Sequence, residues 1–337
     1  MFSIGIWDDF KNIDNPHLKE MAKKIPGLMI QSRQDGTVKN YLFGFNRWKK
    51  WAQKYPEIDI MPAKPKYVAI FLSEILYMSK THAPVSNAFY SLSWAHKMAG
   101  VIDPTEHEVV KRIKDSAHRI LGSGNNKKSP VTPDILFSLY DLYGIEGSSL
   151  KDLRIMTICL LSYSGFLRYD EYSSLLFSDV VFYDNYLTLF IEKSKTDVQR
   201  EGRQVFISET ESKCCTVKML KRYIKSAKFS ADSQDFLFKG LTYHHKSKSY
   251  TLRKQHKGIS YTTAREIVLK AFASVGLNVK EFGTHSMRKG GATSAAKNHV
   301  LDRLILKHGR WVSERSKDMY ITEEVVEKLS VSRNLGI

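Results

Sequence analysis

Three separated strings carry side-chain types that bind oxyanions and move protons. Gly165-Phe-Leu-Arg-Tyr-Asp-Glu171 places Arg168 directly after a helix of buried character, with an acidic residue three positions on. His285-Ser-Met-Arg288 sets an imidazole and a guanidinium one helical turn apart, so both can reach the same side and meet one ligand. Trp311 and Tyr320 follow, separated by room for a loop and the start of another helix. Each string also has a plain structural reading. Arg168 can cap the C-terminal dipole of the preceding helix, and the two aromatics can be core residues.

The elements that must position these residues fall into two groups. In the first third, Val38, Leu42, Phe45, Trp48 and Ala52 recur at helical spacing. A second helix opens near Pro65 and continues through Val68, Phe71, Leu72 and Ile75, and a third runs from about Pro84 to Ala99. A fourth, from about Glu106 to Leu121, is expected to turn Val109, Ile113, Ala117 and Ile120 to one side and Lys111, Arg112, Lys114 and Arg119 elsewhere. The run after Leu121, Gly-Ser-Gly-Asn-Asn-Lys-Lys-Ser-Pro130, breaks helix and lacks apolar periodicity. The domain boundary is placed there: residues 1–121 a helical domain, 122–130 a linker, 131–337 a second domain. Within the latter, Thr132-Pro133 is a helix start and Leu150–Tyr163 a buried helix. Tyr186–Ile191 and Gln204–Ile207 read as strands of a small antiparallel sheet, and helical patterns return after Cys215, over Ser260–Val275 and over most of Phe282–Leu329. The expected class is mainly α with that small sheet.

Composition points to a polyanionic partner. The 337 residues carry 52 Lys and Arg against 35 Asp and Glu, a formal charge of +17, which favours nucleic acid through counterion release. Residues 1–130 hold 20 basic and 12 acidic side chains and the remainder 32 and 23, so both parts share the excess, as a two-sided clamp would. Three cysteines, with Cys214 and Cys215 adjacent, argue against a disulfide framework and for a reducing compartment. The longest apolar stretch, around Ile155–Leu167, is too short to span a bilayer, so a soluble intracellular protein is expected. No Gly-x4-Gly-Lys-Ser/Thr loop and no zinc spacing occur, so neither cofactor nor metal is expected. His244, His245 and His256 lie among lysines without neighbouring carboxylates in sequence and read as a solvated, DNA-facing strip.

Taken in order, Gly165–Glu171, Lys195, His285–Arg288, Trp311 and Tyr320 resemble the tyrosine recombinase (phage integrase) family. The likeness covers about residues 130–325 by motif, and the basic helical segment before it is similar in position and size to the family's core-binding domain. Residue by residue, the resemblance implies that Arg168 and Arg288 bind phosphate and Lys195 is the hairpin lysine. It makes His285 the first histidine, puts Trp311 at a His-or-Trp position and makes Tyr320 the nucleophile. It further implies double-stranded DNA as partner and four protomers around two duplexes. The Ser194-Lys-Thr-Asp197 and Lys289-Gly-Gly291 strings look most like eukaryotic mobile-element recombinases of the Crypton and DIRS-like groups, which implies action in the nucleus for a eukaryotic source and in the cytoplasm otherwise.

The chemistry accounts for such a set. A phosphodiester attacked in line by a phenol passes through a phosphorane bearing extra negative charge, which two arginines can neutralise bidentately. An unperturbed phenol titrates near ~10 and needs a base, for which His285 is the candidate. The leaving 5′ oxygen needs a proton, assigned to Lys195, with Lys193 its rival; a loop lysine can equally touch a base edge or phosphate. Trp311 is expected to buttress the site and to donate its indole N–H to the phosphate. His308 is an alternative histidine, but the family's spacing to Tyr320 favours Trp311; Tyr250 and Tyr261 are alternative tyrosines, but neither has the downstream position of Tyr320. Energy is held in a 3′-phosphotyrosyl linkage, so neither ATP nor metal is required. Two other functions share these residues: a type IB topoisomerase, and a recombinase-derived DNA-binding protein that no longer cleaves. The segment Thr322–Ile337, with Val325, Val326 and Leu329 at helical spacing, docks either on a neighbouring protomer or on its own domain.

Overall fold

The computed structural model describes residues 2–122, 128–192, 202–323 and 325–335. The chain divides into two compact units, Met1–Asn126 and Lys127–Ile337. Lys193 and Lys195, and most of the expected linker, lie outside the described residues.

Among the described residues the first unit contains six α-helices: α1 (Ile6–Lys11), α2 (Pro16–Gln31), α3 (Asp35–Ala52), α4 (Pro65–Met78), α5 (Ala83–Ala99) and α6 (Glu108–Leu121). The first two were not legible from periodicity, because α2 buries only Ala22. Its start is nevertheless chemically explicit: the Asn15 side chain accepts from the His17 and Leu18 N–H groups, and Pro16 takes the first position. The core lies among α3, α4 and α5, where Trp48, Phe71, Leu72 and Leu92 are fully enclosed and the Trp48 ring packs at 5.3–5.4 Å from those of Phe71 and Trp51. The inward side of α6 differs from expectation. Val110 and Ala117 are buried with Ile113 and Leu121 partly so, whereas Val109 and Ile120 face solvent. Ile113 and Ala117 lie inward as expected, while Val110 and Leu121 take the places of their neighbours Val109 and Ile120, a choice that an isolated helical pattern with apolar residues on adjacent positions cannot resolve.

The second unit is built around α8 (Leu150–Ser164), capped by Ser149 and enclosed along most of its length. Around it pack α7 (Pro133–Tyr143), which starts on the Thr132 cap, α10 (Thr216–Ala227), α11 (Tyr261–Ser274) and α12 (Ser286–Lys297). The short α9 (Tyr169–Ser174) follows α8. Near the C-terminus come α13 (Asp302–His308), α14 (Glu314–Asp318) and α15 (Val325–Arg333). Strands β1 (Val180–Phe182), β2 (Tyr186–Ile191) and β3 (Arg203–Ser208) form an antiparallel sheet in the order β1-β2-β3. Leu187 pairs with Ile207 and Leu189 with Val205, so the alternating residues that the sequence marks as apolar lie together on the core face. A second two-stranded sheet, β4 (Leu241–His244) with β5 (Ser249–Leu252), was not anticipated, its inward residues being too few to signal a strand. The architecture is mainly helical with small antiparallel sheets, as the sequence predicts.

Candidate active site

Arg168 is positioned by the turn that ends α8. Phe166 takes the left-handed conformation (φ 47°), and Arg168 becomes the N-cap of α9. Glu171 reaches back: its carboxylate accepts from the Arg168 backbone N–H at 2.9 Å and from Arg168 Nη1 at 2.7 Å. Among the described residues, Nε and Nη2 of Arg168 have no hydrogen-bond partner, and the side chain reaches the surface at 11% exposure. The simpler role, an arginine capping the end of α8, is not what this geometry shows; the guanidinium turns to the start of the next helix.

Arg288, in the first turn of α12, is fully buried. Its Nη1 donates to the Phe166 carbonyl and its Nη2 to the Gly309 carbonyl, which ties α12 to the turn after α8 and to the end of α13. Nε has no partner among the described residues. The Trp311 ring lies over the guanidinium at 4.4 Å and the Tyr320 ring at 5.1 Å, so two π faces enclose the cation. Burial and the neighbouring Arg168 and Arg310 push Arg288 down to about 9, which leaves it charged at neutral pH.

Tyr320 is half-buried in the turn after α14, with its ring 5.3 Å from that of Trp311 and 6.3 Å from that of the exposed His285. The backbone is held from both sides: its N–H donates to the Lys317 carbonyl at 2.8 Å, and its carbonyl accepts from Thr293 Oγ1 at 3.3 Å. The same Thr293 hydroxyl accepts from the Thr322 N–H. Lys317 is itself buried at 3% exposure and paired with Asp302 at 2.9 Å and Asp318 at 3.4 Å. The Trp311 indole N–H is buried without an acceptor among the described residues.

Five of the six singled-out residues, Arg168, His285, Arg288, Trp311 and Tyr320, thus meet around one centre. The sixth, Lys195, lies outside the described residues. Sequence reasoning missed Arg310. This buried residue, with φ 56°, donates to Glu171 at 2.8 Å and to the carbonyls of Phe166 at 2.9 Å and His308 at 2.7 Å. The only sequence signal was its place between Gly309 and Trp311. Glu171, noted merely as an acidic neighbour, proves to be the hub: it contacts Arg168 and Arg310 directly and lies 3.8 Å from Arg288. Burial works against its charge, but Arg310, Arg168 and Arg288 together outweigh that and hold the carboxyl below its usual range.

The alternatives are placed elsewhere. The His308 Nε2 pairs with the Ser164 carbonyl at 2.7 Å and its ring meets Phe166 edge-on. Tyr261 packs beside Tyr169, and Tyr250 beside Tyr243. His244, His245 and His256 are exposed, but His256 does have a carboxylate neighbour: Asp235, 21 residues earlier, lies at 3.1 Å. Among the described residues no cluster of His, Cys, Asp and Glu suits a metal ion.

With this geometry in hand, a profile of the phage integrase family matches residues 139–325, more than half of the chain. The chain belongs to the phage integrase family. It is therefore a tyrosine recombinase, an enzyme of DNA strand breaking and rejoining. The integrase/recombinase XerD homologue of Selenomonas ruminantium is 26% identical over 329 residues, covering 96% of this chain and 92% of that protein. Among solved structures, the post-cleavage complex of the XerH site-specific recombinase with palindromic difH substrate aligns with a TM-score of 0.61 and 15% identity, covering 98% of this chain and 87% of that one. The Tn1549 transposon integrase in complex with transposon right-end DNA aligns at 0.57 and 15% identity, over 88% and 94%. A lambda integrase dimer bound to a COC′ core site aligns at 0.56 and 15%, over 86% and 72%. These structures share the integrase fold.

Proposed function

We propose that this recombinase binds duplex DNA and cleaves it by in-line attack of the Tyr320 phenol oxygen on a backbone phosphorus. The oxygen–phosphorus bond forms as the bond to the 5′ oxygen of the next deoxyribose breaks. The phenolic proton leaves through His285, and the departing oxygen takes a proton from Lys195, or from its rival Lys193. The product is a 3′-phosphotyrosyl linkage and a free 5′ hydroxyl; attack by the 5′ hydroxyl of a partner strand restores the phosphodiester and frees the tyrosine. Arg168 and Arg288 neutralise the phosphorane, and the Trp311 N–H, without an acceptor among the described residues, offers a further donor to it. The observation that carries this reading is the position of Tyr320, its ring over the Arg288 guanidinium, which is linked through Glu171 to Arg168.

The charge of +17 supports DNA as the partner, as do the DNA complexes among the structural neighbours. The lambda integrase tetramer bound to a Holliday junction, similar in fold, supports a homo-oligomer of four. Residues 1–121 serve as the core-binding domain and 131–337 as the catalytic domain, a division that the two compact units support. A finer placement near the Crypton and DIRS-like recombinases, and with it a nuclear site of action, rests on Ser194–Asp197 and Lys289–Gly291 alone; the relative from Selenomonas ruminantium lends it no support.

Incubation with nicked suicide duplexes followed by a denaturing gel tests the assignment. A covalent protein–DNA adduct is expected with the unaltered chain and not with Tyr320→Phe. An adduct that persists in the variant moves the nucleophile elsewhere. Relaxed plasmid without joined new partners would favour topoisomerase action.

A further inference from the structure

Between Asp235 and Glu266 the chain carries no acidic residue but has seven Lys and Arg. Lys239 is buried and paired with Asp235, and Arg265 lies on α11; the other five fall on the β4–β5 hairpin and its exit. Strand pairing divides the ribbon into two faces. Leu241 opposite Leu252 and Tyr243 opposite Tyr250 share the inward face, where Leu241 and Tyr250 pack on the core of the unit. The opposite face presents Thr242, His244, Ser249 and Thr251, all exposed and all with side chains able to hydrogen-bond, with His244 Nε2 and Thr251 Oγ1 2.8 Å apart. The four-residue tip adds Lys246 and Lys248, and the exit adds Arg253 and Lys254, all four exposed.

The chain that leaves the hairpin runs to the neighbourhood of the candidate site. Its exit leads to Ile259, whose carbonyl accepts from the hydroxyl of Tyr169, the residue next to Arg168. None of the four basic side chains named has an ion-pair partner among the described residues, unlike Lys213, Lys218 and Lys221 in the same unit, each of which is paired to a carboxylate.

We propose that β4–β5 is a DNA-reading ribbon, with Lys246, Lys248, Arg253 and Lys254 on phosphates and the His244–Thr251 face toward base edges. The inference rests on the DNA-binding reading above and extends it to where sequence is read. A two-stranded ribbon fits the major groove, and hydroxyl and imidazole groups can donate to or accept from base edges there. An acidic protein surface would satisfy the lysines but has no use for the uncharged hydrogen-bonding face between them.

The test measures binding of the full chain to a labelled random-sequence duplex over a range of salt, beside a Lys246→Gln/Lys248→Asn/Lys254→Gln variant. Asparagine suits position 248 because that residue has φ 47°. Each phosphate left without its lysine should flatten the slope of log affinity against log salt by roughly 0.9, so the triple variant should show a slope smaller by roughly two to three. A variant with the slope and affinity of the unaltered chain overturns the proposal while leaving DNA binding intact. An unaltered chain with no salt-dependent duplex affinity overturns the DNA-binding reading and the ribbon with it. For base reading, selection from a random duplex pool should show that His244→Ala/Thr251→Ala loses preference over one block of adjacent base pairs yet keeps its salt slope. Unchanged preference removes the reading role.

Discussion

Arg310 and Glu171 form a buried ion pair at 2.8 Å, each about 1% exposed, and this pair joins the loop before Trp311 to the first turn of α9. Glu171 also holds Arg168, so a single carboxylate sets the spacing of two arginines drawn from opposite ends of the unit's sequence. A carboxylate among three guanidinium groups keeps them together. Removing it would leave buried positive charge uncompensated. Glu171→Gln should therefore lower unfolding stability by on the order of 3 kcal/mol, read by denaturant titration.

The same group gives a pH dependence. Because its folded-state pKa is depressed, Glu171 stabilises the fold fully above its unfolded value, near ~4.3, and that contribution is lost as pH falls through the lower folded value. The unaltered chain should accordingly lose stability below that unfolded value more steeply than Glu171→Gln. Parallel acid-unfolding curves for the two would show that the carboxylate is not held ionised.

Arg310 reaches the Glu171 carboxylate and the carbonyls of Phe166 and His308 with one planar fork, geometry that an ammonium cannot copy. Arg310→Lys should cost about 2–4 kcal/mol. It should also change the fluorescence of the adjacent Trp311. A lysine variant equal to the parent in both respects would reduce the fork to an incidental feature.

Much of this site was legible in the sequence and part was not. His285 and Arg288 could be paired because a helix places such residues together, and Tyr320 stood at a fixed distance from Trp311. Arg310 could not be found that way, since its role depends on a left-handed residue turning its side chain back toward α8 and α9, and nothing local announces that turn. The one-residue error on α6 has a related origin. Val109 and Val110 are equally apolar, and only the packing of α4 against that helix decides which is inside. The hairpin β4–β5 was hidden because a ribbon with one polar face and one short apolar face resembles a loop in composition.

Lys317 is the residue through which the fold aims Tyr320, its carbonyl accepting the tyrosine N–H while its ammonium pairs with Asp302 and Asp318. Replacing Lys317 with methionine keeps the side-chain length and removes the ion pairs. Slight misplacement of a nucleophile can slow a reaction by about a hundredfold, so adduct formation on suicide duplexes should fall by about that factor, with duplex affinity unchanged. Equal adduct rates would show that the turn holds its shape without the pair.

The two glycines after Arg288 set how closely α12 can approach its neighbours, Gly290 the segment before α7 and Gly291 the end of α8. A Cβ at Gly290 would collide with the Val131 carbonyl oxygen, and one at Gly291 with the Tyr163 carbonyl oxygen. Both obstacles are backbone, so neither can swing aside as a side chain would. Gly291→Ala must push α12 away from the end of α8, and that same movement withdraws Arg288 from the Phe166 carbonyl. The expected loss is about 3 kcal/mol or more in stability, in the range of overpacked cores, together with failure to form the covalent adduct. Gly283→Ala is the matched control, since its nearest neighbour is the Lys128 side chain at 3.7 Å, an ordinary van der Waals distance. If Gly291→Ala melted with Gly283→Ala and cleaved at the parent rate, close approach of the two helices would not be what presents Arg288.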